Sequence, residues 1–164
     1  MNENLDVYSL YVPALNGNGV ELRNLRGAVS LVVNVASECG FTPQYAGLQA
    51  LHSELVERGF TVLAFPSNEF GAQEPGSPEQ IRKFCTERYG VDFPLFAKTG
   101  VKPGPNQSPV YATIERALGE VPEWNFAKVL IGRNGRPRAF FASDVSPDDS
   151  ELRAAIEEAL AERL

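Results

Sequence analysis

Two stretches of this chain, residues 29–36 and 60–66, are almost continuously apolar. Such runs predict strands covered on both faces. Between them Tyr45, Leu48, Leu51 and Leu55 recur at helical spacing, which predicts a helix from Pro43 to near Arg58-Gly59. Further helices are expected over 77–88, 109–118 and 147–163. All four open with a hydroxyl residue followed by proline: Thr42-Pro43, Ser77-Pro78, Ser108-Pro109 and Ser146-Pro147. The hydroxyl oxygen accepts from free first-turn amides, and proline at the first helical position lacks an N–H that would be orphaned anyway. Ser77 with Gln80 also fits a capping box. Asn134-Gly135 between the apolar runs 127–131 and 138–142 is a hairpin signal, as is Asn16-Gly17-Asn18-Gly19 between 5–12 and 19–22. Phe93-Pro94-Leu95-Phe96 reads as a short extended crossing.

With the N-terminal hairpin and residues 90–120 set aside, the order is βαβ, helix, ββα. That order is thioredoxin-like, an α/β fold with a mixed central sheet and helices on both faces. No repeat or linker divides the chain, so residues 1–164 are expected to form one domain. Composition changes the picture only by exclusion. A net charge of −6 argues against nucleic acid or anionic membrane as the main partner. The N-terminus, MNENLDVYSLYVPAL, has neither a basic n-region nor an apolar run fit for a signal peptide or a stable membrane insertion. Two cysteines without a secretion signal point to a reducing compartment, the cytoplasm, where a cysteine pair is more often redox-active than structural. One histidine and two cysteines are too few for a metal site, and no cofactor is expected.

Cys39 follows the first buried strand and precedes Thr42 by three residues. A helix N-terminus carries unpaired N–H groups and partial positive charge, which favour the thiolate, the nucleophilic form. Gly40 is expected to let an amide approach the sulfur. The plainer reading, a buried cysteine as small apolar filler, fits this position less well. Residues 40–42 are Gly, Phe and Thr, so a C-x-x-C oxidoreductase is excluded; Pro43 excludes a C-x-x-x-C copper carrier. A single attacking thiolate remains, with its partner elsewhere.

Three segments then narrow the chemistry: 34–45 (NVASECGFTPQY), 65–76 (FPSNEFGAQEPG) and Trp124-Asn125-Phe126. In content and order they resemble the three blocks of the glutathione peroxidase family, and the likeness runs over nearly the whole chain. The resemblance implies reduction of hydrogen peroxide or organic and lipid hydroperoxides by a peroxidatic Cys39, where many animal members carry selenocysteine. It maps the family's catalytic tetrad onto Cys39, Gln73, Trp124 and Asn125. Taken singly, Trp124 reads as core filler and Gln73 and Asn125 as loop caps. Together they offer an indole N–H and two amides, uncharged donors that stabilise a thiolate and orient a peroxide.

The resemblance also implies that Cys85 resolves the Cys39 sulfenic acid as a disulfide, as in two-cysteine members recycled by thioredoxin. From its sequence alone, Cys85 reads as a buried helix residue beside Ile81 and Phe84. A disulfide from that position is expected to need local unwinding of 78–88, with Gly71, Gly76 and Gly90 as hinges. Ser67 stands where the family often has cysteine, and Glu69 where it often has glutamine; Glu69 is expected to face solvent. The short stretch between Phe96 and Trp124 implies a monomer with an open site. Other readings stay open: a glutathione-dependent peroxidase with Cys85 a bystander, and a redox sensor or relay. A catalytically silent binding module fits least, since all four tetrad residues are present.

Overall fold

The computed structural model describes residues 4–163; the first three residues of the N-terminal stretch read above, and Leu164, lie outside them. Ten elements follow one another: β1 Tyr11–Pro13, β2 Gly19–Glu21, β3 Val29–Val35, α1 Gln44–Leu55, β4 Phe60–Pro66, α2 Pro78–Tyr89, α3 Pro109–Leu118, β5 Lys128–Ile131, β6 Pro137–Phe141 and α4 Ser150–Ala161. The main sheet runs β4-β3-β5-β6, with β3 parallel to β4 and antiparallel to β5. β1 and β2 pair separately as the N-terminal hairpin. The mixed sheet predicted from the apolar runs is therefore present.

Period-two alternation divides the core. Val29, Leu31, Val33 and Val35 of β3 face a cluster with Leu48 and Leu51 of α1, Ile81 and Cys85 of α2, and Leu152 and Ile156 of α4. Val32, between them, faces the opposite side, where Val110, Tyr111 and Ile114 of α3 pack with Val7, Tyr8 and Leu22. Both cysteines lie in the first cluster, on the side of α1, α2 and α4.

Two of the four hydroxyl–proline starts are caps as expected. Ser77 forms the capping box with Gln80, and Ser108 accepts from the Val110 amide. Ser146-Pro147 does not start α4: Asp149 caps it from the amides of Glu151 and Leu152, while the Ser146 hydroxyl donates to Asp148. A carboxylate is the stronger acceptor for those amides, so the helix begins later than predicted. Thr42 also departs from the reading. Its hydroxyl accepts from the Cys39 amide at 2.9 Å and donates to the Ala36 carbonyl at 2.8 Å, so it braces the turn instead of capping α1. The predicted strand over 5–12 is shorter, because Asp6 accepts from the Tyr8 amide and winds Val7–Ser9 into a single 3-10 turn.

Candidate active site

Strand β3 ends in apolar residues except at Asn34, which is wholly buried. The Asn34 side-chain amide donates to the Trp124 carbonyl at 2.9 Å, and the Asn34 carbonyl accepts from the Phe126 amide at 2.6 Å. These two bonds hold the segment before β5 across the end of β3. Phe126 adopts φ 68°, a left-handed conformation that costs on the order of 1 kcal/mol outside glycine. The strained backbone and its anchor together present Trp124 at the surface, 37% exposed. Trp124 is therefore not core filler.

The loop after β4 meets it. Phe70 and Trp124 pack edge to face with ring centroids 6.1 Å apart. The wholly buried Asn125 donates from Nδ2 to the Phe70 carbonyl at 3.3 Å and to Gln73 Oε1 at 3.1 Å. A backbone carbonyl can only accept, so it fixes the Asn125 amide with nitrogen towards Phe70. That orientation makes Gln73 accept through Oε1 and leaves its Nε2 as the outward donor. The sequence-based expectation that Asn125 also presents a donor is thus corrected: its N–H groups are spent on Phe70 and Gln73. Asn125 positions Gln73.

Gly71 closes this corner at φ 71°. A Cβ there would stand 2.8 Å from Trp124 Cη2 and 3.3 Å from the Gln73 amide. Replacement Gly71→Ala is expected to destabilise the fold by about 1–2 kcal/mol, through the left-handed backbone and the forced contact. By displacing the indole and the amide it should also lower, about tenfold or more, kcat/KM of the peroxide reduction that the resemblance implies. Thermal melts and steady-state peroxide kinetics on the same variant read the two effects separately.

Cys39 sits on the turn between β3 and α1, 7% exposed. The Phe41 amide donates to its sulfur at 3.3 Å. The approaching N–H therefore belongs to Phe41, and a Cβ at Gly40 would meet nothing within 4 Å, so Gly40 is not what permits the approach. The turn is joined to the Gln73 loop twice: the Glu38 amide donates to the Gln73 carbonyl at 3.0 Å, and the Ser37 amide donates to Glu74 Oε1 at 3.1 Å. The structure thus links the segments bearing Cys39 and Gln73 through one backbone bond and one bond to the Glu74 carboxylate. It joins Asn125 to Gln73 by a side-chain bond and packs Trp124 against the same loop.

Glu69 does not face solvent freely. Its carboxylate accepts from the amides of Val101 and, at 2.9 Å, Lys102. It anchors the 100–102 loop. Ser67 is buried, and its hydroxyl accepts from the Glu69 amide at 3.4 Å. Asn34 and Glu74 were the positions least visible in sequence. A single polar residue inside an apolar strand was the signal for Asn34, whereas Glu74 was hidden within a longer conspicuous block.

Cys85 is wholly buried on α2, and both cysteines are free. Burial pushes the Cys85 thiol up from 9.0 to about 11, with the neighbouring Tyr45 hydroxyl opposing. Between those values the folded chain holds a proton that the unfolded chain has lost. The stability this confers is present below pH 9 and is lost as pH rises towards 11. In Cys85→Ser that part of the alkaline loss, about 2 kcal/mol between pH 8 and 10.5, should vanish, as denaturant titrations at those two values would show. Of the proposed hinges, Gly71 and Gly90 have positive φ and Gly76 does not.

The family model for glutathione peroxidase matches residues 7–115. A hydroperoxy fatty acid reductase, gpx1, of Synechocystis is 47% identical, over 96% of this chain and 97% of its own. The thioredoxin/glutathione peroxidase BtuE of Escherichia coli is 37% identical, covering 94% and 97%. The crystal structure of Trgpx in apo form superposes with a TM-score of 0.78 at 33% identity, covering 96% of this chain and 97% of the other. A thiol:disulfide interchange protein of Chlorobium tepidum, at 14% identity and TM-score 0.71, shares the thioredoxin-type fold alone. With the matched model spanning most of the chain and the relatives covering nearly all of it, the protein belongs to the glutathione peroxidase family.

Proposed function

We propose that the protein is a thiol peroxidase that reduces hydrogen peroxide and organic or lipid hydroperoxides, with Cys39 as the attacking sulfur. The Cys39 thiolate attacks one peroxide oxygen, the O–O bond breaks, and the departing oxygen takes a proton to leave as water or an alcohol. Cys39 is left as sulfenic acid. The observation that carries the reading is the Phe41 amide aimed at the Cys39 sulfur from a turn bonded to the Gln73 loop. Donors on a thiolate stabilise it, and the free Nε2 of Gln73 with the Trp124 indole N–H supplies donors for the peroxide oxygens.

Cys85 then attacks the sulfenic sulfur, giving a Cys39–Cys85 disulfide and water, and thioredoxin reduces the disulfide. The name of the Escherichia coli relative supports a thioredoxin-type reductant. So does a groove of about 730 Å³ beside Trp124, which carries Glu120, Glu123 and Asp144 and no lysine or arginine. Such a groove disfavours anionic glutathione. One observation favours the other order, in which glutathione reduces Cys39 directly: Cys85 is wholly buried and its thiol holds its proton. The reading extends to a monomer working in the cytoplasm, and no helix among the described residues is long and apolar enough to cross a membrane.

The test is an intact mass after one equivalent of peroxide. Loss of two hydrogens, followed by turnover with thioredoxin and little with glutathione, is the expected result. Full turnover on glutathione without any disulfide would overturn the thioredoxin route.

A further inference from the structure

Glu74 is wholly buried, yet nothing in the peroxide step uses it. Its amide donates to Asn68 Oδ1 at 2.8 Å, and its Oε1 accepts from the Ser37 amide at 3.1 Å. Its Oε2 has no hydrogen-bond partner. Two further buried oxygens nearby are also unsatisfied, the Ser37 hydroxyl and the Tyr45 hydroxyl. The Tyr45 hydroxyl lies beside the Cys85 thiol without closing a well-formed hydrogen bond to it. A cavity of about 450 Å³ opens between the Cys39 turn and α2, lined in part by Ser37, Glu74, Gln80, Ile81 and Phe84. Buried polar atoms without partners are uncommon and costly. Here two of them belong to residues that line the space between the Cys39 turn and α2, and the third, on Tyr45, lies beside Cys85.

We propose that Glu74 carries the proton of the resolving step, taking it from the Cys85 thiol as that sulfur attacks and returning it to the hydroxide that leaves Cys39. The proposal rests on Cys85 being the resolving cysteine, as read above. In the step the Cys85 S–H bond breaks towards Glu74, directly or through Tyr45, and an S–S bond forms to Cys39. The Cys39 S–O bond breaks, and the departing hydroxide takes the proton from Glu74 as water. Glu74 is regenerated, and no further reactant is required.

The surrounding charges suit such a carrier. Burial raises the Glu74 carboxyl above its ordinary value, Glu38 adds to the rise, and Ser37 and Lys98 oppose it. The charges that act on Cys85 are Glu74, which raises it, and Arg82, which lowers it, and the Tyr45 ring packs against Tyr89 with centroids 5.4 Å apart. A raised carboxyl is a stronger base towards the Cys85 proton than an ordinary surface carboxylate, and it can still return that proton to the more basic departing hydroxide.

The experiment compares Glu74→Gln with wild type after a stoichiometric pulse of peroxide. Glutamine keeps an oxygen for the Ser37 amide but cannot carry the proton. Oxidation of Cys39 should stay within about twofold of wild type, while the Cys39 sulfenic acid, trapped by dimedone and weighed, should live at least about tenfold longer at pH 7. The resolving rate of the variant should then climb only towards alkaline pH, where hydroxide takes the Cys85 proton. Glu74→Asp should recover part of the rate. Equal sulfenic acid lifetimes in wild type and Glu74→Gln would overturn the proposal, as would equal slowing of both steps, which marks a purely structural role. A wild type that never loses two hydrogens would instead overturn the resolving role of Cys85, and that of Glu74 with it.

Discussion

Replacing Cys39 by serine is expected to lower peroxidase activity by about a thousandfold or more while the fold persists. The chemistry requires a thiolate, and a serine hydroxyl keeps its proton at neutral pH. The surroundings accommodate the exchange: the Phe41 amide that donates to the sulfur can donate to an oxygen, and the Cys39 amide remains bonded to Thr42. Stability should therefore change by less than about 1 kcal/mol. Steady-state peroxide consumption and a thermal melt on the same sample measure both quantities. An unaltered melt with residual turnover near wild type would remove Cys39 from the mechanism altogether.

Cys85→Ser is the second large effect. With thioredoxin as reductant, turnover should fall about a hundredfold, and one equivalent of peroxide should leave a persistent Cys39 sulfenic acid. Serine is nearly isosteric, and its hydroxyl offers the unpaired Tyr45 hydroxyl a partner, so the variant should fold. The same substitution separates the two reductants, because direct reduction by glutathione would survive it. In wild type, formation of the disulfide is expected to draw the Cys85 sulfur out of its buried place on α2. α2 is held at one end by the Ser77–Gln80 capping box and at the other by Gly90, whose amide donates to the Thr86 carbonyl. Amides of 78–89 should exchange faster after oxidation; equally slow exchange in both states would mean that the helix does not unwind.

The fold was legible because its determinants are local and repetitive. Unbroken apolar runs give β3 and β4 their positions between helix layers, and the Asn134-Gly135 turn sets β5 against β6. Helix starts were less so, since Thr42, Ser77, Ser108 and Ser146 look alike in sequence but compete differently for amides. Asp149 outcompetes Ser146, and Thr42 is taken by the Cys39 turn. Within the site, the residue types were readable and their division of labour was not. Whether Asn125 or Gln73 presents a free donor depends on the Phe70 carbonyl, a backbone group that no side-chain pattern announces. Glu69 illustrates the same limit: its partners lie 32 and 33 residues away.

Trp124 is the only tryptophan in the chain, and it stands partly exposed at this corner against Phe70 and Gly71. The ultraviolet-excited emission of the whole protein is therefore dominated by one ring packed against the Gln73 loop. Displacement of the Gln73 loop would change the polarity around that ring. The protein carries its own optical gauge, with no second indole to blur the signal.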